Sequence, residues 1–140
     1  MKMLVGVDGS ESSQRAVAWC AAHAAALDAN VIAVHAIEVP IHAVLPDAYA
    51  PPVYAEVDRE HIRDVVRDKW CSELNAAHVP FDTKVMAGYP ADVIIETARL
   101  DQADIVVVGR RGLGGFKRLL LGSTSNQLSH HLDRTLVIVP

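Results

Sequence analysis

Residues 109–123, GRRGLGGFKRLLLGS, hold five of the chain's 8 glycines, four basic side chains and no acidic one. Glycine reaches positive φ and tolerates close backbone approach, so such a loop can turn its amides toward phosphate oxygens. Ser123, Thr124 and Ser125 then open a helix, whose unpaired N–H groups and dipole favour an anion at that point. Arg110, Arg111, Lys117 and Arg118 supply the positive charge, and Arg makes paired contacts to phosphate. Two readings fit these residues: a phosphate-binding loop, or a surface loop that ends in a cap at Ser123. An acidic candidate stands far away, in Gly6-Val7-Asp8-Gly9-Ser10. Asp8 suits a turn residue that caps the helix after it, beside Ser10. The standard nucleotide signatures do not fit. A Walker A motif ends in Gly-Lys-Ser/Thr, whereas Lys117 precedes Arg118, and GVDGS stands where a first-strand GxGxxG belongs.

Elements that alternate along the chain must bring these segments together. Continuous apolar runs over residues 2–8, 31–37, 81–86, 104–109 and 134–140 read as strands covered on both faces. Between them lie helical stretches at residues 14–27, 56–77, 91–100 and 123–131. The first is Ala-rich, with Ser10, Ser12 and Ser13 as candidate caps, and Pro90 suits the opening of the third. Residues 38–55 carry Pro40, Pro46, Pro51 and Pro52, too many for a long helix or a central strand. Five strands alternating with four helices predict an α/β domain with a doubly wound parallel sheet and helices on both faces. In such folds ligands bind beyond the C-terminal strand ends, at the point where the winding reverses. The loops after Asp8, Ile37, Met86 and Gly109 are therefore the places for a site.

Bulk properties bound the function. A chain of 140 residues with 51% hydrophobic content suits one packed domain spanning 1–140, and excludes a disordered chain. The net charge of -4 argues against a dedicated nucleic-acid binder. It is unevenly spread: without the four basic residues of the glycine loop, 9 positive charges face 17 negative ones, a body at -8. A cationic loop on an anionic body suits a small anionic ligand. Asp8 interrupts the first apolar run, and the longest one is too short for a membrane span, so a cytoplasmic protein is expected. Cys20 and Cys71 stand 51 positions apart, in neither a zinc nor a redox pattern. They read as buried thiols in a reducing compartment, with a disulfide left open by spacing alone.

At these residues the chain resembles the universal stress proteins, whose nucleotide-binding branch carries G-x2-G-x9-G-(S/T). Gly109, Gly112 and Gly122-Ser123 match every fixed position. The segments VGVDGSESS, VIAVHAIEV, AGYPADVIIETARLDQADIVVVG and RTLVIVP resemble the family's blocks in the family's order, across all but residues 38–55. The resemblance implies a Rossmann-like sheet in the order 3-2-1-4-5 and an ATP ligand. It implies that Asp8, flanked by Gly6 and Val7, lies by the ribose and phosphates, where it can assist a metal. It further implies that Ala36 hydrogen-bonds adenine through its backbone, and that Val108, Gly109, Arg111 and Gly112 line the ribose and phosphate side. Gly122, Ser123, Thr124 and Ser125 would hold phosphates. A homodimer through the C-terminal strand is also implied, since that edge is otherwise exposed and apolar.

Other chemistry is set aside. Seven histidines have no convincing ligand spacing, and adjacent His130 and His131 diverge on a helix. His35, beside the expected adenine contact, reads as a strand residue with a satisfied ring nitrogen. No GxSxG elbow or Cys-His arrangement occurs. Trp19 and Trp70 read as core packing. Four functions remain: an ATP-binding stress-response or signalling module read by an unknown protein partner; an AMP or cyclic AMP binder; a slow ATPase that uses Asp8 and a metal; and a nucleotide-independent interaction module working through residues 38–55.

Overall fold

The computed structural model describes residues 1–38, 53–113 and 120–140. The chain alternates as expected: β1 (Lys2–Gly6), α1 (Glu11–His23), β2 (Asn30–Ile37), α2 (Val53–Asp64), a π-helical turn (Val65–Trp70), α3 (Ser72–Ala76), β3 (Phe81–Ala87), α4 (Pro90–Leu100), β4 (Ile105–Gly109), α5 (Ser123–His131) and β5 (Thr135–Val139). All strand pairs are parallel, in the order β3-β2-β1-β4-β5, with Leu4 of β1 paired to Ile32 on one side and Val106 on the other. The fold is therefore the single doubly wound, Rossmann-like α/β sheet expected from the alternation.

The continuous apolar strands follow from burial on both faces. Met3, Val5, Val31, Ala33 and Val107 join Val17 and Cys20 of α1, with Val66 and Leu74, in one core layer. Leu4, Ile32, Val34, Val106 and Val108 join Val93, Ile94 and Ala98 of α4, with Leu128 of α5, in the other. Each fully buried Val or Leu contributes about 1.5–3 kcal/mol, and β1 and β4 contribute on both faces.

Element ends depart from the sequence reading in three places. α1 begins at Glu11, because Ser10 alone is the cap, its Oγ accepting the Ser13 N–H at 3.1 Å. It stops at His23, four residues early, and its trailing turns close at Asp28, a residue at φ 46°. The helix expected over 56–77 starts at Val53 and is divided: the Cys71 N–H reaches back five residues to the Val66 carbonyl at 2.9 Å. Of the Pro-rich stretch, residues 39–52 lie outside the described residues.

Cys20 and Cys71 are free and fully buried. Burial pushes the Cys71 thiol up to about 12, and burial first, then the neighbouring Cys71, pushes Cys20 up to about 12 as well.

Candidate functional site

The sheet reverses its winding between β1 and β4, and the chain leaves both strands there. The Val7 N–H still reaches the Val34 carbonyl at 2.9 Å, which carries Val7 just past the end of β1. Asp8 then starts a tight turn: its Oδ1 accepts the Ser10 N–H at 2.9 Å, and Gly9 takes φ +80°. Gly9 has no room for a side chain, since a Cβ there would lie 2.6 Å from the Trp70 ring. The π-helical turn, a distortion common beside functional sites, places Trp70 against this point. The Trp70 ring also stands edge-on to His35, at 5.0 Å and 77°. His35 Nδ1 is 2.8 Å from the Val7 carbonyl, so this ring nitrogen is satisfied within the fold.

The first residues after β4 are stitched to this turn. The Arg111 N–H donates to Ser12 Oγ at 3.3 Å, and Ser10 Oγ donates to the Arg111 carbonyl at 3.4 Å. The Leu113 N–H donates to Asp8 Oδ2 at 3.1 Å, across 105 residues. The far end of the loop returns to the same strand: the Gly122 N–H and Ser125 Oγ both donate to the Arg110 carbonyl, at 2.8 and 2.9 Å. Gly114, Gly115, Lys117 and Arg118 fall in residues 114–119, outside the described residues.

Gly122, not Ser123, is the N-cap of α5, and it has no side chain to close the helix end. That removes the cap at Ser123 on which the alternative reading of a surface loop rested. Ser125 Oγ donates to the Arg110 and Gly122 carbonyls. Among the described residues the first turn of α5 has no side-chain cap. The contrast with α1, closed by Ser10, is direct.

These elements enclose a cavity of about 470 Å³. Val34, Ala36, Pro90, Ile94 and Val108 make an apolar end. Asp8, Ser13, Arg111, Gly112, Ser123, Thr124 and Ser125 make a polar one. All twelve residues singled out from the sequence, Gly6, Val7, Asp8, Ala36, Val108, Gly109, Arg111, Gly112, Gly122, Ser123, Thr124 and Ser125, line this one cavity. Arg110 and Arg111 each carry a buried Nε with no hydrogen-bond partner among the described residues. Leaving such a donor unpaired costs about 1–3 kcal/mol, which an anion beside Arg111 would recover.

Sequence reasoning missed Ser13, Val34, Glu38, Pro90, Ile94, Leu113 and Leu121 on the lining, and set aside His35, which also lines it. Val34 was within reach, because it lies two residues from Ala36 and so on the same strand face. Pro90 and Ile94 follow the loop after Met86, a place already marked for a site. Ser13 and Leu113 depend on long-range packing that no local pattern announces.

The profile of the universal stress protein family matches residues 1–140. The chain belongs to this family. A universal stress protein of Mycolicibacterium smegmatis is 33% identical over 141 residues, 98% of this chain, and this chain spans about half, 47%, of that relative's length. A universal stress protein of Thermus aquaticus is 32% identical over 127 residues, covering 90% of this chain and 88% of the relative. A solved universal stress protein in complex with cAMP is 28% identical with a TM-score of 0.75, covering 100% of this chain and 97% of the other. A universal stress protein family protein of Arabidopsis thaliana with AMP bound has a TM-score of 0.65 at 20% identity, covering 99% of this chain and 90% of the other, and shows the shared fold. Among the described residues no helix is long and apolar enough to cross a membrane, and no group of three or more His, Cys, Asp or Glu is placed to hold a metal ion.

Proposed function

We propose that this universal stress protein binds an adenine nucleotide in the cavity between β1 and β4, with ATP preferred. The bound state would be read by a protein partner in a stress or signalling response. One observation carries the reading: the cavity lining combines apolar side chains with the first turn of α5, which has no side-chain cap among the described residues, beside Arg111. Its volume lies within the range of about 300–1,000 Å³ typical of small-ligand sites. In this reading adenine lies among Val34, Ala36, Ile94 and Val108, with the Ala36 backbone as its polar contact. The amides and hydroxyls of Ser123, Thr124 and Ser125 take the phosphates, and Arg111 favours more of them over fewer. The cAMP complex of the related protein supports an adenine nucleotide and a cyclic monophosphate as the second reading.

The residues present do not build a site for a resident Mg²⁺. Among the described residues Asp8 is the one acidic group at the phosphate end, and no group of three or more His, Cys, Asp or Glu is placed to hold a metal ion. A binding module therefore fits better than a metal-dependent ATPase. Pairing of the β5 edge with a second copy would give a homodimer, and would cover Leu136 and Ile138, which are half-exposed here.

Thermal melting with ATP, AMP and cAMP, each with and without Mg²⁺, tests the proposal. A ligand at 100 times its Kd that binds only the native state adds about 2.7 kcal/mol. The expected order is ATP above AMP. No shift with any of the three at millimolar concentration would overturn nucleotide binding, and a larger shift with cAMP would replace ATP by the second reading. Gly122→Arg should abolish the shift by filling the phosphate end. A Cβ at this position lies 3.3 Å from the Arg110 carbonyl and Arg111 Cα, a tight approach that a few tenths of an ångström relieve.

A further inference from the structure

The Asp8 carboxylate is engaged on both oxygens, and its two partners belong to segments 103 residues apart. Oδ1 accepts the Ser10 N–H at 2.9 Å, inside its own turn. Oδ2 accepts the Leu113 N–H at 3.1 Å, in the glycine loop. Gly112 passes so close that a Cβ there would lie 2.6 Å from the same Oδ2. The Leu113 side chain is 77% exposed, so apolar packing does not hold this stretch against the turn. What holds it is the carboxylate, with help from the Ser12 and Ser10 hydroxyls on Arg111. Ion–amide bonds of this type are the stronger class of hydrogen bond.

We infer that Asp8 is a latch on the first residues of the glycine loop, a positioning residue that clips Leu113 to the β1–α1 turn. The latch sets the backbone of residues 110–113 before any ligand arrives, and spares a ligand the ordering of these residues.

Two variants attack the latch from opposite sides. Asp8→Asn retains one oxygen for Ser10 and turns an NH₂ group toward the Leu113 N–H, donor against donor. Gly112→Ala leaves Asp8 intact and drives the loop off Oδ2. Hydrogen exchange of the Leu113 amide in nucleotide-free protein should quicken at least about tenfold in both variants, the loss expected for one hydrogen bond to a charged group. Exchange at Val106 and Val107, in the buried centre of β4, should stay unchanged and so certify the fold. Unchanged Leu113 exchange in either folded variant overturns the latch.

Discussion

Replacing Gly9 by alanine should be among the most costly single-methyl changes in this protein. Two separate terms add. At φ +80° an L residue carries a backbone strain of about 1–2 kcal/mol that glycine does not. The new methyl would also lie 2.6–2.8 Å from Cε2, Cζ2 and Nε1 of Trp70, where carbon atoms in contact normally stand about 3.5–4.0 Å apart. Trp70 cannot simply yield, because its ring packs on the core layer that holds Val66 and Leu74, and its edge meets His35. Overpacking of this kind costs about 1–3 kcal/mol. The sum, about 2–5 kcal/mol, is a large share of the 5–15 kcal/mol by which a domain is typically stable. Urea unfolding of Gly9→Ala, Trp70→Ala and the double variant measures each term. With the ring removed, Gly9→Ala should cost only the backbone part, about 1–2 kcal/mol, and the cycle should return a coupling of about 1–3 kcal/mol. A cost below about 0.5 kcal/mol in the unaltered background would refute the reasoning, as would equal costs in the two backgrounds.

Two further outcomes follow from burial and from the open edge. Cys20 and Cys71 ionise near 9 when exposed but are held at about 12 in the fold. The unfolded chain therefore loses these protons first, so their contribution is complete below pH 9 and is lost as pH rises above it. The slope is about 1.4 kcal/mol per pH unit for each thiol. Urea midpoints should fall between pH 8 and pH 10, less steeply in Cys20→Ala, and a flat profile would contradict the burial argument. Sedimentation should give twice the 15.1 kDa of one chain if β5 pairs with its copy, and Ile138→Lys should return the monomer mass without unfolding. A monomer in the unaltered protein would dismiss that interface.

What was legible in the sequence was whatever depends on local pattern. Runs such as Asp104-Ile-Val-Val-Val-Gly can only be strands buried on both faces, and their alternation with helices leaves the doubly wound sheet. Once β1 and β4 are neighbours, Asp8 and Gly109 must lie at the same switch point, which is why the twelve chosen residues share one cavity. Element ends were less legible. Three serines competed to cap α1, and tertiary contacts selected Ser10. The π-helical turn was invisible because Val66, Trp70 and Leu74 keep an ordinary four-residue spacing, and the extra residue shows only in the Cys71 N–H reaching Val66.

The glycines of the loop change in meaning once their surroundings are known. Positive φ and close approach to phosphate were the expected reasons for them. Yet Gly109, Gly112 and Gly122 all lie outside the positive-φ region, where only Gly9 and Gly88 stand among the described glycines. Their requirement is steric, and the crowding atoms belong to the protein. A Cβ at Gly109 would lie 2.5 Å from the Ser12 backbone, one at Gly112 would lie 2.6 Å from the Asp8 carboxylate, and one at Gly122 would lie 3.3 Å from the Arg110 carbonyl. Each contact fixes a different described part of the loop: Gly109 on α1, Gly112 on the turn after β1, and Gly122 beside the end of β4. The motif spacing thus encodes three close approaches of the chain to itself, and these position residues 109–113 and the first turn of α5 along the cavity. Any ligand contact is built on that framework. Alanine at Gly109, where the opposing atoms are backbone, must therefore displace α1 itself, whereas at Gly112 it need only free the loop from Asp8.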